Sequence, residues 1–219
     1  MKTLHTELEK FFSQFKVRKY KKHDHILHED DTPNGSYFIK SGYIRLYSIS
    51  PEGQELTRLV LGPYDLFPLR WTLGDEAIDF YVEAMTDVTT WFAPRDTFLT
   101  YLKSQPDLFL EFLTVIVHRM EALYKRMEFF AFGNAYQKVA SILLFLAKRF
   151  GEKGKDILTI DMPLTQEHIA SLAGVSRETV NIELDKLRQK GLITINHRYI
   201  TINDGNKLRT ESSFIGTSG

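Results

Sequence analysis

The chain has 219 residues, of which 43% are hydrophobic and 26% charged, with a net charge of zero and no cysteine. This composition is typical of one large or two small globular domains, and it excludes disulfides, cysteine-ligated iron–sulfur clusters and thiolate-bound haem. We therefore expect no resident cofactor. No segment reaches the roughly 18 apolar residues of a membrane span, and the acidic N-terminus lacks the apolar core of a secretory signal. The expectation is a cytoplasmic protein without a membrane partner.

The N-terminal part, residues 1–96, is predicted to contain one helix followed by many short strands. Residues 1–15 place Leu4, Leu8 and Phe12 near helical spacing, which indicates an amphipathic helix. From residue 17 to 94, short runs of β-branched and aromatic residues alternate with turn signals such as Ser41-Gly42. Strands of this length and spacing favour a barrel, roll or sandwich.

Residues 97–133 are assigned to a long dimerisation helix, with Pro106 in the first turn of a new helix. Apolar residues recur there at spacings that alternate between four and three, which is the a/d pattern of a two-stranded coiled coil. The alternative is a helix buried against its own domain, but Phe112 and Val115 lie off the seam and can serve that packing. We therefore predict a parallel homodimer. The seam consists of Phe109, Leu113, Ile116, Met120, Leu123, Met127 and Phe130.

Gly133-Asn134 ends this helix and begins a domain assigned to residues 134–206, before a polar tail at 207–219. The domain shows a helix over 135–150 and, near its end, two short strands that pair as a hairpin. Residues 135–219 carry 12 basic and 9 acidic residues, whereas residues 1–134 carry 16 and 19. A basic C-terminal part on an acidic N-terminal part suggests a polyanionic partner for the former.

The segment from Leu164 to Leu184 has the start and stop signals of two short helices joined by a tight turn. Thr165 is a suitable N-cap for the first helix, Gly174 can adopt the left-handed conformation that ends it, and Ser176 can cap the second. This is helix-turn-helix geometry, and the hairpin that follows it would be a wing. A helical hairpin used only for packing is the alternative. The wing and the dimer seam favour DNA binding.

The second helix would present its N-terminal side chains to the major groove. Arginine can bond guanine bidentately, glutamate can accept from cytosine, asparagine can pair with adenine, and isoleucine can contact a thymine methyl group. The base-reading residues predicted on this basis are Arg177, Glu178, Asn181 and Ile182. The phosphate contacts predicted are Thr165, Gln166, Ser176, Thr179 and Arg198.

The segment from Ser176 to Val180 (SRETV), followed by Leu187 and by GLI at 191–193, resembles the recognition-helix signature of the catabolite-activator/fumarate-nitrate-reduction regulator (CRP/FNR) superfamily. Residues 37–46 are similar to its β-roll hairpin. The resemblance implies an α+β fold with an N-terminal β-roll, which is jelly-roll-like and of the cyclic-nucleotide-binding-domain type, a long dimerisation helix and a C-terminal winged helix-turn-helix. It also implies a palindromic operator contacted by two recognition helices about one DNA turn apart. RNA polymerase is a further candidate partner.

The sequence departs from the family pattern at the recognition helix and in the β-roll. The family usually has a second arginine where this chain has Ile182, and we expect a thymine-methyl contact instead. Cyclic-nucleotide binders carry an arginine and a hydroxyl residue for the phosphate, but the matching stretch here holds Asp75, Glu76 and Asp79. These carboxylates would repel a phosphate, so we predict a small effector that is not a cyclic nucleotide.

The effector itself is unknown from the sequence. The candidate pocket walls are Phe67, Leu69, Trp71 and Phe80, although these residues could instead simply fill the roll. Arg70, which is next to Trp71, could orient an acidic effector or could be solvated.

The sequence also carries features that suggest two rival functions. His23-Asp24-His25 with Glu29 loosely resembles the first metal motif of cupin enzymes, but no later histidine lies between His28 and His118. A cyclic-nucleotide-binding regulatory module without a DNA role is the second rival, and the recognition helix and wing disfavour it. No nucleophile–base pair, phosphate-binding loop or dinucleotide-binding glycine pattern is present. We therefore predict no catalytic residue, no metal site and no enzymatic activity.

Overall fold

The computed structural model describes residues 2–151 and 157–212. The chain divides into two compact units within its longest helix, after Met120. The first unit begins with α1 (Lys2–Phe12), ends midway along α4 (Pro106–Phe132), and is otherwise mostly strand. Its other elements are β1 (Lys16–Tyr20), β2 (His25–Leu27), β3 (Gly35–Ser41), β4 (Ile44–Ile49), β5 (Glu55–Leu61), β6 (Leu66–Phe67), α2 (Leu69–Gly74), β7 (Tyr81–Ala84), β8 (Val88–Pro94) and α3 (Arg95–Lys103).

Two four-stranded antiparallel sheets form the β-roll. One has the strand order β1-β8-β3-β6 and the other β2-β7-β4-β5. In the central pairing of the first sheet, Tyr37 lies opposite Phe92 and Phe38 lies opposite Trp91. Successive side chains of a strand point to opposite faces, so β3 can serve two apolar clusters at once. This architecture confirms the predicted β-roll.

The two clusters lie on opposite faces of the first sheet. The roll core draws its buried side chains from both sheets. It contains Ile26, Leu27, Tyr37, Ile39, Ile44, Leu46, Leu61, Phe67, Trp71, Ile78, Phe80, Val82, Ala84 and Val88. The outer cluster joins α1, α3 and the start of α4 to the other face of that sheet. It contains Leu4, Leu8, Phe11, Phe12, Phe38, Leu66, Trp91, Ala93, Phe98, Leu102, Leu108 and Phe112.

The region predicted to be helical from residue 97 contains two helices rather than one. α3 ends at Lys103, and α4 begins at Pro106. Proline lacks the N–H that would continue a helix, but its fixed φ suits a first turn. The long helix to which dimerisation was assigned therefore starts nine residues later than the assigned boundary at 97.

The second unit contains the rest of α4 and a winged helical domain. Its elements are α5 (Ala135–Phe150), β9 (Leu158–Thr159), α6 (Gln166–Ala173), α7 (Arg177–Gln189), β10 (Ile193–Asn196), β11 (Tyr199–Ile202) and α8 (Gly205–Ser212). Asn134 caps α5, since its side chain accepts from the Gln137 backbone N–H at 3.0 Å and the Gln137 side chain accepts from the Asn134 N–H at 3.0 Å. The predicted helix break at Gly133-Asn134 is therefore confirmed, whereas the second compact unit begins at Glu121, before the boundary assigned at 134.

The assignment of residues 207–219 to a polar tail is wrong for its first six residues. They belong to α8, in which Leu208 is fully buried. The Glu211 carboxylate accepts hydrogen bonds from the Tyr136 hydroxyl at 2.9 Å and from Lys190 Nζ at 2.6 Å. One buried leucine and these contacts are enough to hold a helix whose other residues are polar. Residues 213–219 of the assigned tail lie outside the described part of the chain.

Candidate nucleic-acid interface

The first helix of the helix-turn-helix, α6, is fixed by a reciprocal cap. The Thr165 hydroxyl accepts from the His168 backbone N–H at 3.1 Å, and the Thr165 N–H donates to His168 Nδ1 at 3.3 Å. The N-cap role predicted for Thr165 is confirmed. Because the same hydroxyl also hydrogen bonds the Glu167 carboxylate, capping occupies a group that the sequence suggested for phosphate binding.

The turn between α6 and α7 has the predicted geometry. Gly174 adopts φ 63° and ψ 42°, and its N–H donates to the Ala170 carbonyl. Ser176 then caps α7 by accepting from the Thr179 N–H at 3.2 Å, and the two hydroxyl oxygens lie 3.1 Å apart. Ser176 is exposed and Thr179 half-buried, so the N-terminus of α7 keeps donors near solvent that suit a phosphate.

The C-terminal end of α4 packs against this turn. Arg126 Nη2 donates to the Leu172 carbonyl at 2.6 Å, at the last turn of α6. Burial lowers the pKa of the Arg126 guanidinium to about 10, and its carbon atom lies 5.1 Å from the centre of the Phe130 ring. Phe130 in turn touches Gly174, where any Cβ would lie 2.7 Å from Cε1 of that ring. The turn therefore needs glycine for both conformation and space.

We expect Gly174→Ala to destabilise the fold more than Gly191→Ala. Gly191 has a similar positive φ of 69°, but a Cβ there would meet nothing within 4 Å. The alanine at position 191 should therefore lower the free energy of unfolding by about 1 kcal/mol, the cost of a left-handed residue, and the one at 174 by about 2–3 kcal/mol because overpacking is added. Urea unfolding of both variants measures the difference. Equal losses would show that the Phe130 ring moves aside freely.

The second helix, α7, has one buried and one exposed side. Val180, Leu184 and Leu187 are buried, as predicted. The four residues predicted to read bases all lie on the exposed side: Arg177, Glu178, Asn181 and Ile182. Ile182 is 53% exposed, so its side chain is accessible for the predicted thymine-methyl contact.

Two of these four side chains contact residues of α6. Arg177 Nε lies 3.0 Å from Glu167 Oε1, and Gln166 Nε2 donates to Asn181 Oδ1 at 2.8 Å. The sequence suggested Gln166 as a phosphate contact and did not suggest Glu167 at all. Only the packing angle of the two helices reveals these pairs, because the partners are 10 and 15 residues apart in the chain.

Both acidic residues at this surface are stabilised in their ionised forms. The Glu178 backbone N–H and the Ser176 hydroxyl lower the pKa of the Glu178 carboxyl. The Glu167 backbone N–H, at the start of α6, is the main cause of the lowered pKa of the Glu167 carboxyl. Both groups are therefore acceptors at neutral pH, which is the state required to accept from cytosine N4 or from a guanidinium.

The wing is a tight hairpin of β10 and β11 that also pairs with β9. Asn196 lies opposite Tyr199, and His197 at the turn adopts φ 54°. Arg198 is exposed while its carbonyl accepts from the Leu164 N–H at 2.7 Å. Its backbone is thus fixed and its guanidinium is at the surface, as a phosphate contact requires.

The exposed apolar residues of α4 form a stripe that differs partly from the predicted seam. Five of the seven seam residues are exposed by 38–64%, but Ile116 packs against the outer cluster and Phe130 against Gly174. Leu110, Val117 and Tyr124 are also exposed, and because they recur every seven residues they widen the stripe on one side. The exposed stripe of α4 consists of Phe109, Leu110, Leu113, Val117, Met120, Leu123, Tyr124 and Met127.

The four residues suggested as effector-pocket walls do not share one environment. Phe67, Trp71 and Phe80 are buried within the roll core, whereas Leu69 packs against the outer cluster. β6 ends at Phe67 and α2 begins at Leu69, so the change of secondary structure turns the two side chains to different sides. The structure therefore favours the alternative that these side chains fill the roll.

The acidic stretch after α2 forms ion pairs with three arginines. Arg70 pairs with Glu76 at 2.8 Å and with Asp79 at 3.1 Å, and Arg58 pairs with Asp79 at 2.9 Å. Asp75 lies 3.9 Å from Arg95. Arg70 is thus bound to carboxylates of its own chain, which differs from the suggested contact with an acidic effector.

The histidines of the cupin-like motif have other partners. His23 Nδ1 lies 3.0 Å from Glu83 Oε1, and His25 Nε2 lies 2.9 Å from the Tyr47 hydroxyl. Within residues 2–151 and 157–212, no group of three or more histidine, aspartate or glutamate side chains is placed to hold a metal ion. In the same residues, no helix is long and apolar enough to cross a membrane.

Comparison with known proteins finds two matching families that follow one another along the chain. A family described as the cyclic nucleotide-binding domain matches residues 17–105, and one described as the Crp-like helix-turn-helix domain matches residues 137–211. The chain is 28% identical over 183 residues to a CRP-like cAMP-activated global transcriptional regulator of Mycobacterium tuberculosis, which covers 84% of this chain and 82% of the relative. It is 29% identical over 188 residues to a global nitrogen regulator of Nostoc sp., with coverages of 85% and 84%.

Solved structures share the fold. A CooA mutant from Carboxydothermus hydrogenoformans superposes with a TM-score of 0.76 at 23% identity, covering 93% of this chain and 90% of that one. FixK2 from Bradyrhizobium japonicum has the same TM-score at 18% identity, with coverages of 92% and 98%. The succession of β-roll, long helix and winged helix-turn-helix is therefore common to all three chains.

Proposed function

Because the chain belongs to the CRP/FNR superfamily of DNA-binding transcription regulators, which are not enzymes, we propose that it acts as a homodimer on a palindromic operator. The observation that carries the proposal is the exposed side of α7, where Arg177, Glu178, Asn181 and Ile182 stand together while the opposite side is buried. Such a helix can enter the major groove and present its first two turns to base edges.

The exposed stripe of α4 supports the proposed homodimer. Eight large apolar side chains on one face of a helix are more than a soluble monomer usually leaves in water. Leu110, Val117 and Tyr124 recur every seven residues, and Leu113, Met120 and Met127 do the same, which suits a two-stranded coiled coil. A second copy of the chain is the partner with the matching repeat, and a two-fold pair of recognition helices requires a two-fold operator.

The proposed effector is a small molecule other than a cyclic nucleotide, and the protein works without a resident cofactor. Arg58 and Arg70, the arginines beside the acidic stretch, are already paired with Glu76 and Asp79. A cyclic phosphate would have to displace a carboxylate from its arginine and then lie beside the displaced charge. The match to the cyclic nucleotide-binding family favours a cyclic nucleotide instead, and binding experiments distinguish these two effector classes.

Selection of bound duplexes from a random pool tests the proposal. We expect enrichment of two inverted half-sites whose centres lie about 10 base pairs apart, since one DNA turn separates the two recognition helices of such dimers. Affinity for the enriched site should fall steeply with salt because phosphate contacts release counterions. RNA polymerase, the further partner proposed, can then be tested for recruitment to that site.

The same site serves to test the effector class. Millimolar cyclic AMP or cyclic GMP should leave the affinity for the enriched duplex unchanged within twofold. A tenfold change would replace the proposed effector with a cyclic nucleotide. Enrichment of no sequence at all, at moderate salt, would contradict the DNA-binding role.

A further inference from the structure

Two side chains of α6 reach the base-reading side of α7. Glu167 Oε1 and Arg177 Nε are 3.0 Å apart, and Gln166 Nε2 donates to Asn181 Oδ1 at 2.8 Å. Glu167 and Arg177 keep 58% and 63% of their side-chain surface exposed. An ion pair so exposed adds little to folding stability, but it does place a carboxylate beside the guanidinium of Arg177.

We propose that Glu167 is a positioning residue that orients Arg177 for guanine and thereby sets part of the operator preference. The inference rests on the proposed DNA-binding function. The carboxylate engages Nε of the guanidinium and leaves both Nη groups free. Two parallel N–H donors are what O6 and N7 of guanine accept. Fixing the long side chain before binding lowers the conformational entropy lost on forming the two base contacts.

The Gln166–Asn181 pair is a second case in which a side chain of α6 orients a side chain of α7, here in the second turn of the helix. With its Oδ1 held by Gln166, Asn181 keeps the Nδ2 donors for a base edge that offers an acceptor. Both polar residues at the start of α6 thus act through side chains of α7. Operator preference therefore depends on residues outside the recognition helix.

The negative charge of Glu167 and its orientation of Arg177 should affect DNA binding in opposite directions. The two effects can therefore be measured separately. A carboxylate close to the DNA backbone weakens binding to every sequence. Orientation of Arg177 strengthens binding only where guanine is present. Removing the carboxylate should therefore increase affinity for unrelated DNA and decrease the preference for guanine.

The experiment measures the affinity of each variant for the selected operator, for the operator with its guanine replaced at the step contacted by Arg177, and for unrelated duplex. We expect Glu167→Ala to reduce the guanine preference by about three- to tenfold per half-site while binding unrelated DNA as well as or better than the wild type. Glu167→Gln keeps an acceptor oxygen without the charge, so its guanine preference should stay within twofold of the wild type.

A double-variant cycle completes the test. If Glu167 acts through Arg177, adding Glu167→Ala to Arg177→Ala should leave the guanine preference of the single Arg177 variant unchanged. The inference is overturned if Glu167→Ala changes affinity for all three duplexes by the same factor, since only its charge would then matter. A wild-type protein that selects no operator would instead contradict the proposed function, which separates the two failures.

Discussion

Replacing Met120 with glutamate is expected to convert the proposed dimer into a monomer and to abolish operator binding at concentrations that saturate the wild type. Met120 lies midway along the exposed stripe of α4 and belongs to the predicted seam, and 45% of its surface is exposed in the single chain. Two glutamates would face one another across the two-fold axis in an apolar interface. Losing two methionine contacts of about 1 kcal/mol or more each, and desolvating two like charges, should raise the dimer dissociation constant at least 100-fold.

The effect on DNA binding should be larger than on assembly, because a dimer engages its second half-site as an intramolecular event. Loss of that linkage commonly lowers affinity by about 10²- to 10⁴-fold. Sedimentation equilibrium gives the oligomeric state, and titration of the operator gives the affinity. His118→Glu is the matched control, since position 118 is also exposed but lies about 200° around the helix from Met120. A Met120→Glu protein that stays dimeric would contradict the coiled-coil interface.

Much of the fold was predictable because its signals are local. Thr165, Gly174 and Ser176 each act through backbone groups within four residues, so their cap and turn roles follow from residue type and spacing. The apolar period of α4 is likewise a property of neighbouring residues. Ile116 and Phe130 also fit the heptad period of α4, but they pack on their own chain. The period alone cannot distinguish packing within the chain from contact with a second chain.

Elements that depend on distant partners could not be predicted. β1 consists of Lys16–Tyr20, a charged edge strand whose pairing with β8 defines it, and edge strands of this kind lack the alternating apolar pattern. α8 exists because Leu208 and Glu211 meet groups from elsewhere in the second unit. The contact between Glu167 and Arg177 also requires the crossing angle of two helices. The sequence therefore identifies the recognition helix but not the side chains that orient it.

Arg177→Ala is expected to remove most of the sequence specificity. One bidentate contact between arginine and guanine is worth about 1–3 kcal/mol, so losing it in both half-sites should weaken operator binding by about 4 kcal/mol, or roughly 1000-fold. Because the variant protein loses only one exposed positive charge per protomer, it should bind unrelated DNA only slightly more weakly than the wild type does. The measurement is the ratio of the two affinities at one fixed salt concentration. Val180, Leu184 and Leu187 keep the helix packed, so the variant should remain folded.

Arg198→Ala is the matched control, because it removes the same side chain from the wing, where the proposed contact is a phosphate. It should weaken binding to the operator and to unrelated DNA by similar factors. It should also reduce the slope of log affinity against log salt concentration by about two for the dimer, since each phosphate contact contributes roughly 0.9. The specificity ratio should therefore collapse in Arg177→Ala and persist in Arg198→Ala. If the two variants gave the same ratio, Arg177 would be one more phosphate contact, and α7 would not be the element that distinguishes one DNA sequence from another.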